Sequence, residues 1–118
     1  MESEGTMINV HFFRQEDGSV HLEMAGHAGA ASKGEDLVCA GASTLCYTLG
    51  QAVTFLWNQE ALLHPPVVEI QQGRASIIAT PKDGYESMVY MAWWTVQAGF
   101  YTLSSNYPQY VRLRTMTV

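Results

Sequence analysis

One cysteine and one histidine in this sequence have the residue types and spacing of a nucleophile and its general base. Cys39 falls in the first turn of a predicted helix, three residues after Asp36, whose side chain favours the N-cap position. The unpaired N–H groups and the positive end of the dipole at a helix start favour the thiolate form of a cysteine. His27 follows a predicted strand across a loop, so it can act as a base toward Cys39. The Asp36 carboxylate opposes ionisation of the thiol, and a charged His27 would have to offset it.

Backbone and hydroxyl groups near Cys39 extend this predicted site. The N–H groups of Cys39 and Ala40 are expected to point out of the helix start, which makes them candidate donors to an oxyanion. Ser43 lies one helical turn after Cys39 on the same face, so its hydroxyl could bond to the thiol, to His27 or to substrate. Structural roles stay open, because a lone cysteine near a helix start is often a small buried hydrophobe and such a serine often bonds to its own helix.

The segment between the two residues is made of small side chains. Residues 26–34 read GHAGAASKG, so we expect a flexible loop that contains Gly26, Gly29 and Gly34. The segment does not end in the Lys-Ser or Lys-Thr pair of a phosphate-binding loop. The scattered histidines and the two cysteines have no metal-ligand spacing, so we expect no metal and no cofactor.

The elements that must position this site alternate between strand and helix patterns. Their order, ββαββαβ with local hairpins, predicts an α+β two-layer domain in which a mainly antiparallel sheet carries two helices on one face. We expect residues 7–118 to form this single domain and residues 1–6 to be a flexible tail. The predicted strands cover residues 7–14, 20–25, 67–70, 75–80 and 110–118, and the predicted helices cover 36–57 and 85–103.

The second predicted helix is apolar around most of its circumference. A helix of this kind must bury more than one face. One face meets the sheet, and we expect the other, with the Tyr107–Tyr110 segment that follows, to meet a second copy of the chain in a two-fold homodimer. Its stretch from Met88 to Leu103 is the most apolar of the chain but is interrupted and too short for a membrane span.

Composition and charge narrow the partners and the compartment. Of the 118 residues, 47% are hydrophobic and 14% are charged, which excludes an intrinsically disordered chain. Six Lys and Arg stand against 11 Asp and Glu, a net charge of −5 without a basic run, so we expect no direct nucleic-acid contact and no membrane surface. Cys46 lies seven residues after Cys39, too far along one helix for a disulfide, and is expected in the core. Unpaired cysteines and an acidic N-terminus favour a soluble, cytoplasmic protein.

Residues of the loop and of the helix start also match a family signature. They resemble those of the ribosomal-processing cysteine proteases, the Prp or YsxB-like family. The resemblance extends over about residues 7–114, from the Asp-Gly turn of the first hairpin to the closing Tyr107-Pro108-x-Tyr110-Val111. Its central residues are Gly26-His27-Ala28, then Gly34-x-Asp36-x-Val38-Cys39-Ala40, then Ser43-x-Leu45.

The resemblance implies a small, dimeric cysteine endopeptidase of the bacterial cytoplasm. It implies that Cys39 is the nucleophile, that His27 is the base, and that Asp36 and Ser43 support them. The implied substrate is a short N-terminal extension of a large-subunit ribosomal protein, removed by cleavage after an aromatic residue. Gly41-Ala42 departs from the family pattern, which more often has bulkier apolar residues before the serine.

Two other functions remain open at the level of sequence. A non-catalytic adaptor of the same fold would bind a ribosomal or other protein tail, and Cys39 would then be structural. A thiol redox sensor would need a resolving cysteine within reach, and Cys46 is too distant along the helix. Reactivity of the Cys39 thiol near neutral pH separates the protease from the adaptor.

Overall fold

Two helices pack on one face of a five-stranded sheet. The computed structural model describes residues 7–26 and 33–116, and the side chains of residues 33–36 lie outside that description. The element order is the predicted ββαββαβ, which confirms the predicted α+β class. The elements are β1 (Ile8–Arg14), β2 (Val20–Ala25), α1 (Lys33–Asn58), β3 (Val67–Gln71), β4 (Arg74–Ala79), α2 (Glu86–Asn106) and β5 (Val111–Met116).

The sheet is mainly antiparallel, as predicted, and its strand order is β3-β4-β2-β1-β5. The pairs β1–β2, β2–β4 and β3–β4 are antiparallel. The pair β1–β5 is parallel, because α2 carries the chain back along the sheet before β5 begins. The first strand, β1, and the last strand, β5, are therefore neighbours in the sheet.

The core lies between the inner face of the sheet and the two helices. Ile8, Val10 and Phe12 alternate along β1 and are all buried, as their period of two predicts. The edge of the Trp93 ring lies against Phe12, with the ring centroids 5.6 Å apart. The helices contribute buried residues at three- and four-residue spacing: Val38, Ala42, Cys46, Leu49, Val53 and Leu56 from α1, and Val89, Trp93, Val96 and Phe100 from α2.

Among the described residues, the helix that is long and apolar enough to cross a membrane belongs to α1, and the Met88–Leu103 stretch of α2 is not such a helix. Leu37–Asn58 has a mean hydropathy of 1.2 and no charged residue, and its length and composition would allow it to cross a membrane. Its buried stripe from Val38 to Leu56 packs against the sheet and α2. This packing is the pattern of a core helix.

Small residues allow α1 and α2 to approach each other closely. A methyl group added at Gly99 of α2 would lie only 2.5 Å from Cδ2 of Leu45 on α1. A methyl group added at Gly41 of α1 would lie 3.4 Å from Cδ1 of Leu103, which is an ordinary contact distance. The two glycines therefore differ in whether the helix pair has room for alanine.

Gly99→Ala is expected to lower the free energy of unfolding, and Gly41→Ala to raise it. Overpacking costs about 1–3 kcal/mol, which exceeds the roughly 1 kcal/mol that alanine gains over glycine in a helix. We therefore expect a net loss of about 1 kcal/mol at Gly99 and a gain of up to about 1 kcal/mol at Gly41. Urea denaturation of both variants measures this, and equal stabilisation by both would show that the Leu45 contact is unimportant.

Candidate active site

Cys39 lies near the start of α1, beyond the end of β2. Cys46 donates a hydrogen bond from its Sγ to Sδ of Met24 at 3.7 Å, which sets α1 against the last residues of β2. After α1 the chain reaches the opposite end of the sheet, where the N–H of Leu63 donates to the carbonyl of Thr80 at 2.8 Å. α1 therefore runs opposite to β2, and the seven residues from Cys46 back to Cys39 carry the thiol about 10 Å past Met24.

The two thiols have different environments. Cys46 is fully buried, as predicted, and burial raises the pKa of its thiol to about 12. Cys39 is partly buried and packs against the edge of the core. Both are free, so only the Cys39 thiol combines the reduced state with access to solvent.

α1 begins three residues earlier than the sequence predicts. Its first residue is Lys33, so Asp36 lies in the first turn and is not the N-cap, and Gly34 belongs to the helix and not to the loop.

The early start also changes the role of the backbone N–H groups near the thiol. In this helix the N–H groups without intrahelical acceptors belong to the first turn, residues 33–36. Cys39 and Ala40 lie in the second turn, where each N–H donates to the carbonyl four residues before it. Both N–H groups thus belong to the helical hydrogen-bond pattern, and their role as oxyanion donors stays a prediction.

Gly26 directly follows β2 in a left-handed backbone conformation that glycine adopts readily, and its place in a flexible loop stays a prediction. Its φ is +96°, and its N–H donates to the carbonyl of Gly73 at 3.0 Å. A Cβ at this position would overlap the carbonyl oxygen of Met7. A glycine directly after a strand was a signal for this role, but the contact with Met7 could not be read from the sequence. The structure thus directs the chain as it leaves β2 toward His27.

Of the other predicted site residues, the structure describes Ser43 but not His27 or Gly29. Ser43 is exposed on α1, one turn after Cys39, as its spacing predicts. His27 and Gly29 lie outside the described residues, so their roles stay predictions. Over the part of the chain that the structure describes, no group of three His, Cys, Asp or Glu side chains could hold a metal ion.

The sequence and the fold are both similar to those of known proteases. The family described as cysteine protease Prp matches residues 7–112. The ribosomal processing cysteine protease Prp of Bacillus subtilis (strain 168) is 41% identical over 58 residues, which are 48% of this chain and 52% of that protein. This match therefore spans about half the length of the curated relative.

Solved structures extend the similarity over nearly the whole chain. The crystal structure of SMU.848 from Streptococcus mutans has a TM-score of 0.70 and 26% identity, and the alignment covers 99% of this chain and 100% of that chain. The ribosomal processing protease Prp from S. aureus, in complex with a covalently linked product peptide, has a TM-score of 0.67 and 25% identity, with 93% and 100% covered. Since the family match extends from β1 into β5, the chain belongs to the cysteine protease Prp family.

Proposed function

We propose that the protein is a cysteine endopeptidase in which Cys39 is the nucleophile and His27 the general base. The observation that carries the proposal is the placement of the partly accessible thiol at the end of the sheet where β2 leads through Gly26 toward His27. The thiol of Cys46 is an unsuitable nucleophile, because it is buried and its pKa is raised to about 12.

The distances along the chain are compatible with a pair formed by these two side chains. Cys39 lies about 10 Å beyond the level of Met24, and three residues of extended chain cover about the same distance. His27 is the third residue after Met24. The conformation of Gly26 supports the proposal, since it fixes the direction in which this short segment starts.

The proposed reaction has two steps. His27 takes the thiol proton, the Cys39 sulfur attacks the scissile carbonyl carbon, and the tetrahedral intermediate expels the amine, which receives the proton from His27. A water molecule, activated by His27, then attacks the thioester, and the carboxylic acid product leaves as the thiol re-forms. The covalently linked product peptide of the S. aureus relative supports a route of this kind.

Asp36 and Ser43 are proposed as supporting groups. Ser43 is exposed one turn after Cys39, so its hydroxyl is available to a bound peptide or to the thiol. Asp36 belongs to the first turn of α1, and we propose that its carboxylate orients a cationic His27.

The proposed substrate is a short N-terminal extension of a large-subunit ribosomal protein, cleaved in the cytoplasm after an aromatic residue. The B. subtilis relative is named for ribosomal processing, and the S. aureus protease carries the same description. The alternative is an adaptor that binds such a tail without cutting it.

Cleavage of a synthetic peptide separates these two functions. The peptide has the sequence of the extended N-terminus of the ribosomal protein, and mass spectrometry follows its mass after incubation with the protein. Two fragments, the first ending in an aromatic residue and the second beginning directly after it, support the protease. A control peptide with glycine in place of that aromatic residue should stay intact. If the peptide binds in a titration but keeps its mass, the protein is an adaptor and not a protease.

We also propose that the protein is a homodimer that associates through the outer face of α2. Met88, Met91, Trp94 and Tyr101 are 51%, 60%, 45% and 66% exposed, a high exposure for large apolar side chains on one helix. Methionine and aromatic residues are favoured in interfaces between subunits. We expect sedimentation velocity to give a dimer at micromolar concentration and Met91→Glu to weaken it at least tenfold. A parent protein that sediments as a monomer at that concentration would contradict the proposal.

A further inference from the structure

The face of the sheet opposite the helices, called the open face here, carries an ordered row of polar side chains. Strand register places Ala25 of β2 between Arg74 of β4 and Asn9 of β1, and Asn9 is followed by Arg112 of β5. The next row along the strands runs from Ser76 through Glu23 and His11 to Arg114. Both rows lie near the end of the sheet where β2 ends and Gly26 follows.

These two rows form a shallow trough of about 240 Å³ on the open face. Ala25 and Asn9 are short and form its floor, while the longer side chains of Arg74 and Arg114 lie at its two sides. Arg74 and Arg114 stand on strands separated by two others and in neighbouring rows, so their backbones are about 16 Å apart. His11 and Glu23 also line the trough, together with Val10 and Met24.

The trough is positive although the protein is acidic. The chain has a net charge of −5, yet three of its six Lys and Arg residues, Arg74, Arg112 and Arg114, are exposed on this face. None of the three forms an ion pair with any residue that the structure describes. The acid of the trough, Glu23, is already engaged, since its Oε2 accepts a hydrogen bond from the Ser76 hydroxyl at 2.8 Å. Burial, and then the charge of Arg114, lower the pKa of His11.

We propose that this trough binds an extended acidic peptide segment through two carboxylates, one on Arg74 and one on Arg114. Guanidinium groups bind carboxylates through two parallel hydrogen bonds, and neither arginine has another anionic partner among the described residues. Side chains four residues apart in an extended peptide lie on the same side and about 13 Å apart. The long arginine side chains span the remaining difference from backbones about 16 Å apart.

A nucleic acid is a less suitable ligand for the same surface. The trough contains the Glu23 carboxylate, and the rest of the chain repels a phosphate backbone because of its net charge of −5. Three arginines can neutralise a short acidic peptide but only a small part of a polyphosphate chain. The inference does not depend on the proposed proteolysis, because no residue of the trough takes part in that reaction.

Fluorescence anisotropy with a labelled nonapeptide tests the proposal. The probe has glutamates at its third and seventh positions in a Ser/Gly background, and its control has glutamines there. We expect saturable binding of the probe at low salt and at least tenfold weaker binding of the control. An otherwise identical probe with adjacent glutamates should bind several-fold more weakly, because it cannot reach both arginines.

Charge-reversal variants complete the test. Arg114→Glu and Arg74→Glu should each lower the affinity for the probe at least tenfold. Lys82→Glu changes the net charge equally at the other end of the sheet and should change that affinity less than twofold. Circular dichroism checks that each variant is folded. Equal losses in all three variants, no binding to the parent protein, or tighter binding of an oligothymidylate of the same charge would each overturn the proposal.

Discussion

Cys39→Ser is expected to abolish peptide cleavage while the fold and the binding of the peptide are retained. Sulfur and oxygen are similar in size, and Cys39 lies at the edge of the core, so packing changes little. The hydroxyl has a far higher pKa than the thiol, so His27 cannot ionise it usefully. We expect turnover to fall by at least a thousandfold, measured as product formed from the ribosomal-protein peptide, with the affinity for that peptide changed less than threefold.

Cys46→Ser is the matched control, because it makes the same atomic change on the same helix. Its hydroxyl would enter an apolar site beside Met24, and burying a poorly paired polar group costs about 1–3 kcal/mol. We expect turnover within twofold of the parent and a lower midpoint of unfolding in urea. If the Cys39→Ser protein instead cuts the peptide at the parental rate, the chain is not a cysteine protease acting through Cys39, and the adaptor takes its place.

Gly26→Ala is expected to cost both stability and activity. The residue has a φ of +96°, where a side chain costs about 1–2 kcal/mol, and the added Cβ would also overlap the carbonyl oxygen of Met7. Two backbone segments must then separate, so we expect a total loss of about 3 kcal/mol or more in the free energy of unfolding. Cleavage should fall at least tenfold under conditions where the variant is still folded, because the displaced chain leads directly to His27.

Gly84→Ala separates the effect of backbone conformation from that of the overlap. Gly84 has a similar φ of +92°, but a Cβ there would have no atom within 4 Å. Its loss of stability should therefore stay at about 1–2 kcal/mol, with cleavage unchanged. Equal losses in the two variants would show that the approach of Gly26 to Met7 has no energetic consequence.

The features that depend on local sequence were predictable. Ile8, Val10 and Phe12 indicated the inner face of β1 because side chains alternate along a strand, and the helical spacing around Cys46 indicated its burial. The position of Cys39 near the start of a long helix followed from the same spacing. These properties need only the period of the pattern and the residues next to it.

The features that depend on distant residues were not predictable. The start of α1 was missed for a local reason: the small side chains of residues 26–34 predicted a loop up to Gly34, and Asp36 was taken as the N-cap. The trough was missed because Arg74 and Arg114 become neighbours only through strand register. The alternation of Arg112 and Arg114 along β5 was its one visible signal.

The parallel pairing of β1 with β5 has a consequence for the order in which the protein folds. It joins Ile8 to Val111, and the N–H of Ile8 donates to the carbonyl of Tyr110 at 2.8 Å. Contacts between residues so far apart in sequence form late, because the entropy of closing the loop is lost before the contact stabilises it. During synthesis, β1 has no partner on this side until residues 110–116 have left the ribosome. The edge of the sheet formed by β1 and β5 is therefore completed last, and a nascent chain acquires its full sheet only after β5 has been synthesised.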